Sequence, residues 1–288
     1  MDNSQITTPL SKEQAYALVD AVSEQEELTL AASAYEDKNG NWMFEATCEG
    51  KPDVEAFNRI AARTLNGKVT FSIEKIDPDI DWIAKSLEGL PPVAAGGFIV
   101  HAGHNGDQLP PELIPIHIEA AQAFGTGHHQ TTAGCLEAIF GILKSKRPKK
   151  VLDVGTGTGV LAIALAKRLK RKIVASDIDP IAVKTTKDNA RLNKVKKWIK
   201  PVLATGLNSK KIRKRGRYNL IVANILAGPL ADLAPDIAAA SKKNADIILS
   251  GILNTQAAKV IAAYENNGIV LNRRIVLKEW TTLVMQKI

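Results

Sequence analysis

The stretch "VLDVGTGTGVLAIALA", residues 151–166, decides how the chain is read. "VLDV" is a short apolar run broken only by Asp153, and "GVLAIALA" is apolar along its whole length, as a helix packed on a sheet is. Between them Gly155, Gly157 and Gly159 mark a strand-to-helix junction. Glycine there lets the backbone turn tightly and approach a ligand closely, and the N-terminus of the following helix favours a negative group. The dinucleotide-binding fingerprint G-x-G-x-x-G would place its third glycine at position 160, which is Val160. The pattern present is acid-x-G-x-G-x-G. On these residues alone, nicotinamide binding and a plain tight turn both stay open.

From Lys149 onward strand-like and helix-like segments alternate: "KVLDVG", "GVLAIALAKRL", "KIVASD", "PIAVKTTKDNARLN", "PVLAT", "YNLIVANI", "ADLAPDIAAASK", "ADIILSGI" and "TQAAKVIAAYENNG". The strands are continuous apolar runs, as in a parallel sheet buried on both faces, so the expectation is a doubly wound α/β domain. The tail "IVLNRRIVLKEWTTLVMQKI" holds two strand-like stretches with no helix between them and predicts a hairpin at one sheet edge.

Upstream the pattern differs. "SKEQAYALVDAVSEQ" (11–25) has helical spacing after Ser11, with Gln14 three residues on as in a capping box. "LTLAASAYE" (28–36) and "WMFEATCE" (42–49) flank "DKNGN", a hairpin turn. A helix from about Asp53 to Leu65 and a strand at 68–76 follow. With "QITT" (5–8) as a first strand, the order is βαββαβ, a small α+β, ferredoxin-like domain. "DPDIDWIAKSLEGLPP" (77–92) predicts a helix ended by Gly89 and a proline pair. The expected organisation is therefore 1–76 as a recognition domain, 77–100 as a helical linker and 101–288 as the catalytic domain.

Composition narrows the classes. Of 288 residues 45% are hydrophobic, enough to fill real cores, yet no apolar run reaches the roughly 20 residues of a membrane helix. Met1 to Leu10 lacks the layout of a signal peptide, which predicts a cytoplasmic protein. Cys48 and Cys135 are too few for a disulfide framework. The net charge of +8 conceals a division: residues 1–122 carry 8 Lys/Arg against 20 Asp/Glu, and residues 123–288 carry 30 against 10. Such asymmetry points to two partner surfaces of opposite preference or to domains that attract each other, with solvated faces that have no partner as the alternative.

Two further positions carry chemistry. Asp177 ends the second strand in "ASDIDP", 22 residues after Gly155, where an acid can accept from both ribose hydroxyls; a plain helix-start role is the alternative. Asn224 stands where "YNLIVANILAGPL" (218–230) turns from apolar to loop, at the carboxyl end where ligands of open α/β sheets bind. Its amide offers a donor and an acceptor, though a turn-forming role is also open.

The acidic residue and triple glycine resemble the first motif of class I S-adenosylmethionine-dependent methyltransferases. Together with "AFGTGHHQTT" (123–132), "ASDIDP", "VANILAGPLADLAP", "LSGIL" followed by Gln256, and "EWTTLVM", they resemble the PrmA family, the methyltransferases of large-subunit ribosomal protein eleven. The resemblance is close from about Ile116 to the end and looser before it. It implies a Rossmann-like, seven-stranded, mostly parallel sheet with an antiparallel C-terminal hairpin, a substrate-recognising N-terminal domain and a flexible helical linker. It also implies methylation of lysine side chains and the N-terminal α-amine of one ribosomal protein. Cofactor contacts are implied at Thr132, Gly155, Asp177 and Asn224. Phe124, Gly125, Thr126 and Gly127 are expected as a lid-like entry to the cofactor pocket, and Asp153, Gly157 and Gly159 as parts of the glycine loop. Asn224 is the expected catalytic residue. Where the commoner family loop reads Gly-Thr-Gly-Thr-His-Pro-Thr-Thr, this chain has His128 and Gln130.

Two other readings compete. The runs "KSKRPKK" (144–150), "KRLKRK" (167–172), "KVKKWIK" (194–200) and "KKIRKRGR" (210–217) suit a nucleic-acid methyltransferase or a contact with ribosomal RNA, although most fall at helix ends and loops between strands, where solvated lysine is ordinary. A non-catalytic binding protein on the same fold is the other. A metal site is not expected: the five histidines, His101, His104, His117, His128 and His129, lie within 29 residues, but no Cys, Asp or Glu joins them at ligand spacing. A monomer is the expected state.

Overall fold

The computed structural model describes residues 3–23, 25, 28–37, 40–65, 67–76, 92–101, 109–118 and 130–288. It divides into two units, Met1–Asp81 and Trp82–Ile288.

The first unit runs β1 (Asn3–Leu10), α1 (Lys12–Ser23), β2 (Ala31–Glu36), β3 (Trp42–Glu49), α2 (Val54–Leu65) and β4 (Ser72–Ile76). Its antiparallel sheet has the order β2-β3-β1-β4, the βαββαβ arrangement that the sequence predicts. Helix α1 starts with reciprocal bonds: the Gln14 N–H donates to Ser11 Oγ (3.3 Å) and the Ser11 N–H to Gln14 Oε1 (3.2 Å). The helices lay Leu18, Val22, Phe57 and Ala61 on Ile6, Phe44 and Ala46 of the sheet. Three phenylalanines, Phe44, Phe57 and Phe71, meet edge to face at 5.8–6.3 Å, and lock that core. The strand expected at 68–76 is regular only from Ser72, and Val69 and Phe71 before it pack on this cluster.

Of the expected linker, residues 77–91 lie outside the described residues, and 93–100 carry strands of the second unit. Strands β5 (Val93–Ala95), β6 (Phe98–His101) and β7 (Ile114–His117) form a small sheet, with β6 and β7 parallel. Next come α3 (Gln130–Ser145), β8 (Val151–Val154), α4 (Val160–Leu169), β9 (Ile173–Asp177), α5 (Pro180–Leu192), β10 (Ile199–Leu203), α6 (Lys210–Arg213) and β11 (Tyr218–Asn224). The chain ends with α7 (Ala227–Asp232), α8 (Ala234–Ala240), β12 (Ser241–Leu253), α9 (Ala257–Glu265), β13 (Ile269–Leu277) and β14 (Trp280–Lys287).

The large sheet has seven strands in the order β10-β9-β8-β11-β12-β14-β13. The first five are parallel, and β14 and β13 close the edge as the expected antiparallel hairpin. Successive residues of its central strands feed opposite cores. Val151, Leu220 and Val222 pack with α3 and α4 on one face, whereas Leu152, Ile221 and Ala223 pack with α7, α8 and α9 on the other. Burial on both faces is why these strands read as unbroken apolar runs. The order reverses between β8 and β11, and an open α/β sheet binds its ligand at the carboxyl side of such a switch point.

Candidate active site

At the carboxyl end of β8 the chain turns through Gly155–Gly159 into α4. Gly155 has φ +66°, and a Cβ there would stand 2.2 Å from Ile225 Cγ2. Gly251, at the end of β12, has φ +83°, and its Cβ would stand 2.2 Å from the carbonyl oxygen of the same Ile225. A glycine just after β8 and one near the end of β12 therefore accommodate the residue that follows Asn224, and so fix where β11 leaves the sheet.

Asp153 anchors the loop from below. It is fully buried, and its Oδ2 accepts from Thr156 Oγ1 (2.8 Å) and from the Ala162 N–H (3.1 Å) in the first turn of α4. Its Oδ1 has no hydrogen-bond partner among the described residues. Burial pushes the carboxyl up to about 7, the two hydrogen bonds oppose that shift, and the charge of Asp177 adds to it.

Asp177 ends β9 beside this loop. Its Oδ2 accepts from the Gly157 N–H (2.8 Å) and its Oδ1 from the Asp179 N–H (3.1 Å). Asp179 caps α5 through the Ile181 N–H, with Pro180 in the first turn, as "DIDP" predicts. Asp177 is therefore both a partner of the glycine loop and a half-exposed carboxylate at a strand end.

Asn224 ends β11, half-buried, and its Nδ2 donates to Thr132 Oγ1 at 3.5 Å across 92 residues of sequence. Thr132 is 2% exposed in the first turn of α3. That turn is tied to the sheet from beneath: Ser250 Oγ donates to the Thr131 carbonyl (3.2 Å) and lies 2.7 Å from Thr282 Oγ1. Cys135, on the same helix, has its thiol pushed up to about 12 by burial and stays neutral.

The structure thus links Asp153, Gly155, Gly157, Gly159 and Asp177 around one loop and joins Thr132 to Asn224. Phe124, Gly125, Thr126 and Gly127 lie outside the described residues, as do His104, His128 and His129. His101 and His117, paired across β6 and β7, stack with ring centroids 5.2 Å apart.

Sequence reasoning missed two supports. Thr186 Oγ1 donates to the Gly157 carbonyl (2.9 Å) and Asn189 Nδ2 to the Thr158 carbonyl (2.9 Å), so α5 holds the glycine loop from the side. Asn193 extends the row, bonding the N–H and carbonyl of His117. The signal was present as polar residues at 186, 189 and 193, helical spacing on a buried face. The Ser250–Thr282 bond was also missed; its signal was a hydroxyl inside each of two apolar strands.

The arrangement offers a carboxylate for a vicinal diol, a glycine turn at a helix N-terminus for an anionic or polar group, and an amide with a hydroxyl for a third moiety. Among the described residues no helix is long and apolar enough to cross a membrane.

Known proteins resemble the chain over most of its length. The family model for ribosomal protein L11 methyltransferase (PrmA) matches residues 5–288. A ribosomal protein L11 methyltransferase of Agrobacterium fabrum is 43% identical over 264 residues, covering 91% of this chain and 90% of that one. The protein of the same name from Rhizobium rhizogenes is 43% identical over 282 residues, covering 98% and 97%. A crystal structure of a ribosomal protein L11 methylase from Lactobacillus delbrueckii subsp. bulgaricus superposes with a TM-score of 0.58 at 30% identity, covering 67% of this chain and 96% of that one.

Proposed function

The chain belongs to the ribosomal protein L11 methyltransferase family, and from that membership we propose that it transfers methyl groups from S-adenosylmethionine to amino groups of ribosomal protein L11, namely lysine side chains and the N-terminal α-amine. The observation that carries this reading is the convergence of the ends of β8, β9 and β11 at the sheet's switch point, where Gly155, Asp177 and Asn224 stand together.

The residues fit the cofactor. The carboxylate of Asp177 at a strand end suits ribose hydroxyls, and Thr132 with Asn224 suits the methionine end, while Gly155 turns the chain at φ +66° and leaves space for Ile225. When bound, S-adenosylmethionine supplies a methyl group on a sulfonium, so the leaving group departs neutral. What the chain must do is position and desolvate. Near-attack placement contributes roughly 7–11 kcal/mol to such reactions. A lysine of pKa about 10.4 also has to lose its proton, at about 4.6 kcal/mol at pH 7. Desolvation beside a cation lowers that cost by disfavouring the ammonium, and the proton leaves to water. Asn224, with Nδ2 turned toward Thr132, presents Oδ1 to accept from the attacking amine.

Residues 1–76 are proposed as the recognition domain, residues 77–100 as the linker and residues 101–288 as the catalytic domain. An excess of acid over base in the first 122 residues steers a basic ribosomal protein toward the enzyme, so their association weakens as salt is added. We place this activity in the cytoplasm, carried out by a monomer.

Titration calorimetry with S-adenosylmethionine, followed by intact-mass measurement of L11 incubated with enzyme and cofactor, tests the function. Saturable binding and mass increments of whole methyl groups are expected; binding without any increment would leave a non-catalytic protein. Asp177→Ala is expected to weaken cofactor binding about 100-fold, since it removes charged hydrogen bonds worth roughly 1.5–3 kcal/mol each and frees the Gly157 N–H. Unchanged affinity in the same titration would remove Asp177 from the site.

A further inference from the structure

The basic runs of the second unit lie together at the edge of the sheet opposite the site. In the spatial order β10-β9-β8-β11-β12, the segments that lead into these strands are 194–198, 170–172, 146–150, 213–217 and the bulge 242–244. Sixteen of these twenty-one residues are Lys or Arg, and none is Asp or Glu. Adjacent strands are about 4.8 Å apart, so the five segments form a row roughly 19 Å long. Most of their basic side chains are exposed. The row is braced from within: Arg215 donates to the Lys172 carbonyl (2.7 Å), joining two of the segments. Of the nearby carboxylates, Asp246 is paired with Lys146 (2.7 Å) and Asp188 with Arg191 (2.5 Å), while Asp236 shares a cleft with Arg213 and Arg217, so most of the sixteen cations keep their charge.

Helix dipoles favour a cation in the last turn of α4 and α5, but they do not account for all of this charge. Lys170 and Lys194 adopt φ +49° and +58°, at helix ends where glycine or asparagine would be less strained. The bulge 242–244 and the segment 213–217 add six more basic residues at the starts of β12 and β11.

We propose that this edge is a docking surface for the phosphate backbone of RNA. A linear row of cations whose carboxylate, Asp246, is already paired with Lys146 matches a linear polyanion. The choice of RNA rests on the reading that the substrate is a ribosomal protein, whose own partner is RNA. The row is separated from Asp177 and Asn224 by the length of the strands, about 13 Å for the four residues of β8. RNA held there is an anchor and not the methyl acceptor.

The test uses the full chain and a fluorescein-labelled RNA duplex of about 20 base pairs, read by anisotropy over a range of salt. With about five phosphates neutralised, log affinity is expected to fall against log salt with a slope of about −4 to −5. Two charge-reversed pairs, Arg171→Glu with Lys196→Glu and Lys242→Glu with Lys243→Glu, are each expected to weaken binding by about tenfold or more. Both should leave the melting temperature and the rate of methyl transfer to isolated L11 unchanged. No binding by the wild-type chain at low salt, or binding untouched by either pair, overturns the proposal. Tighter binding of a DNA duplex of the same length, or displacement of the RNA by equimolar poly-glutamate, overturns RNA as the partner. Wild-type enzyme that binds RNA but methylates no L11 would contradict the proposed function alone.

Discussion

Asn224→Ala is expected to lower kcat for methyl transfer to L11 by about 10²–10³-fold, with a change of less than about tenfold in cofactor affinity. Asn224 is the last residue of β11, and Ile225 beside it is gripped by Gly155 and Gly251, so the amide enters the site from a fixed backbone. Its partner Thr132 is buried in α3 and held through Thr131 to Ser250 of β12. An acceptor so placed acts on the orientation of the incoming nitrogen, and displacement by 1 Å alone costs about 10²-fold in such reactions. Asn224→Asp keeps an acceptor oxygen at the same place and is expected to retain more activity than the alanine variant. Single-turnover rates at saturating cofactor check both variants, and full turnover by Asn224→Ala would remove the residue from the mechanism.

The second large effect concerns Asp153 and pH. Burial disfavours the charged form and pushes its carboxyl up to about 7, from 3.8 for the ordinary side chain. Between those values the folded chain binds a proton that the unfolded chain does not. The contribution of Asp153 to stability therefore falls as pH rises from about 4 to about 7 and is level above. Asp153→Asn mimics the neutral acid, since its amide oxygen can accept from Thr156 and Ala162 while carrying no charge. The variant should gain on the wild type by about 3 kcal/mol between pH 5 and pH 8, at about 1.4 kcal/mol for each of two pH units. Urea denaturation of both chains at the two pH values measures this. Parallel profiles would mean that Asp153 is already ionised below pH 5.

Much of the fold was legible because burial on both faces leaves strands without polar interruptions. The exceptions were themselves informative: Asp153 breaks "VLDV" because it holds the glycine loop, and Ser250 breaks "IILSGI" because it anchors α3. Asp177 and Asn224 were legible as polar residues at the carboxyl ends of apolar runs. Their partners were not, since the Asn224–Thr132 pair spans 92 positions and no local period links them. The α5 row of Thr186, Asn189 and Asn193 reads as an ordinary polar helix face until packing turns it inward. Gln130 replaces the family's proline at the first residue of α3, a place where proline is favoured but its ring is not required, so the helix starts there all the same. The basic runs were visible as four separate segments; only the strand order shows that they lie along one edge, away from the site, joined by the bulge 242–244.

The most direct measurement is transfer of tritiated methyl from S-adenosylmethionine, with purified L11 and purified ribosomal RNA offered in separate reactions to the wild-type and Asp177→Ala chains. Label is predicted in L11 alone, with the wild-type enzyme, and reduced with Asp177→Ala at cofactor concentrations that saturate only the wild type. Label in RNA, or equal labelling of L11 by both chains at that concentration, would contradict the account.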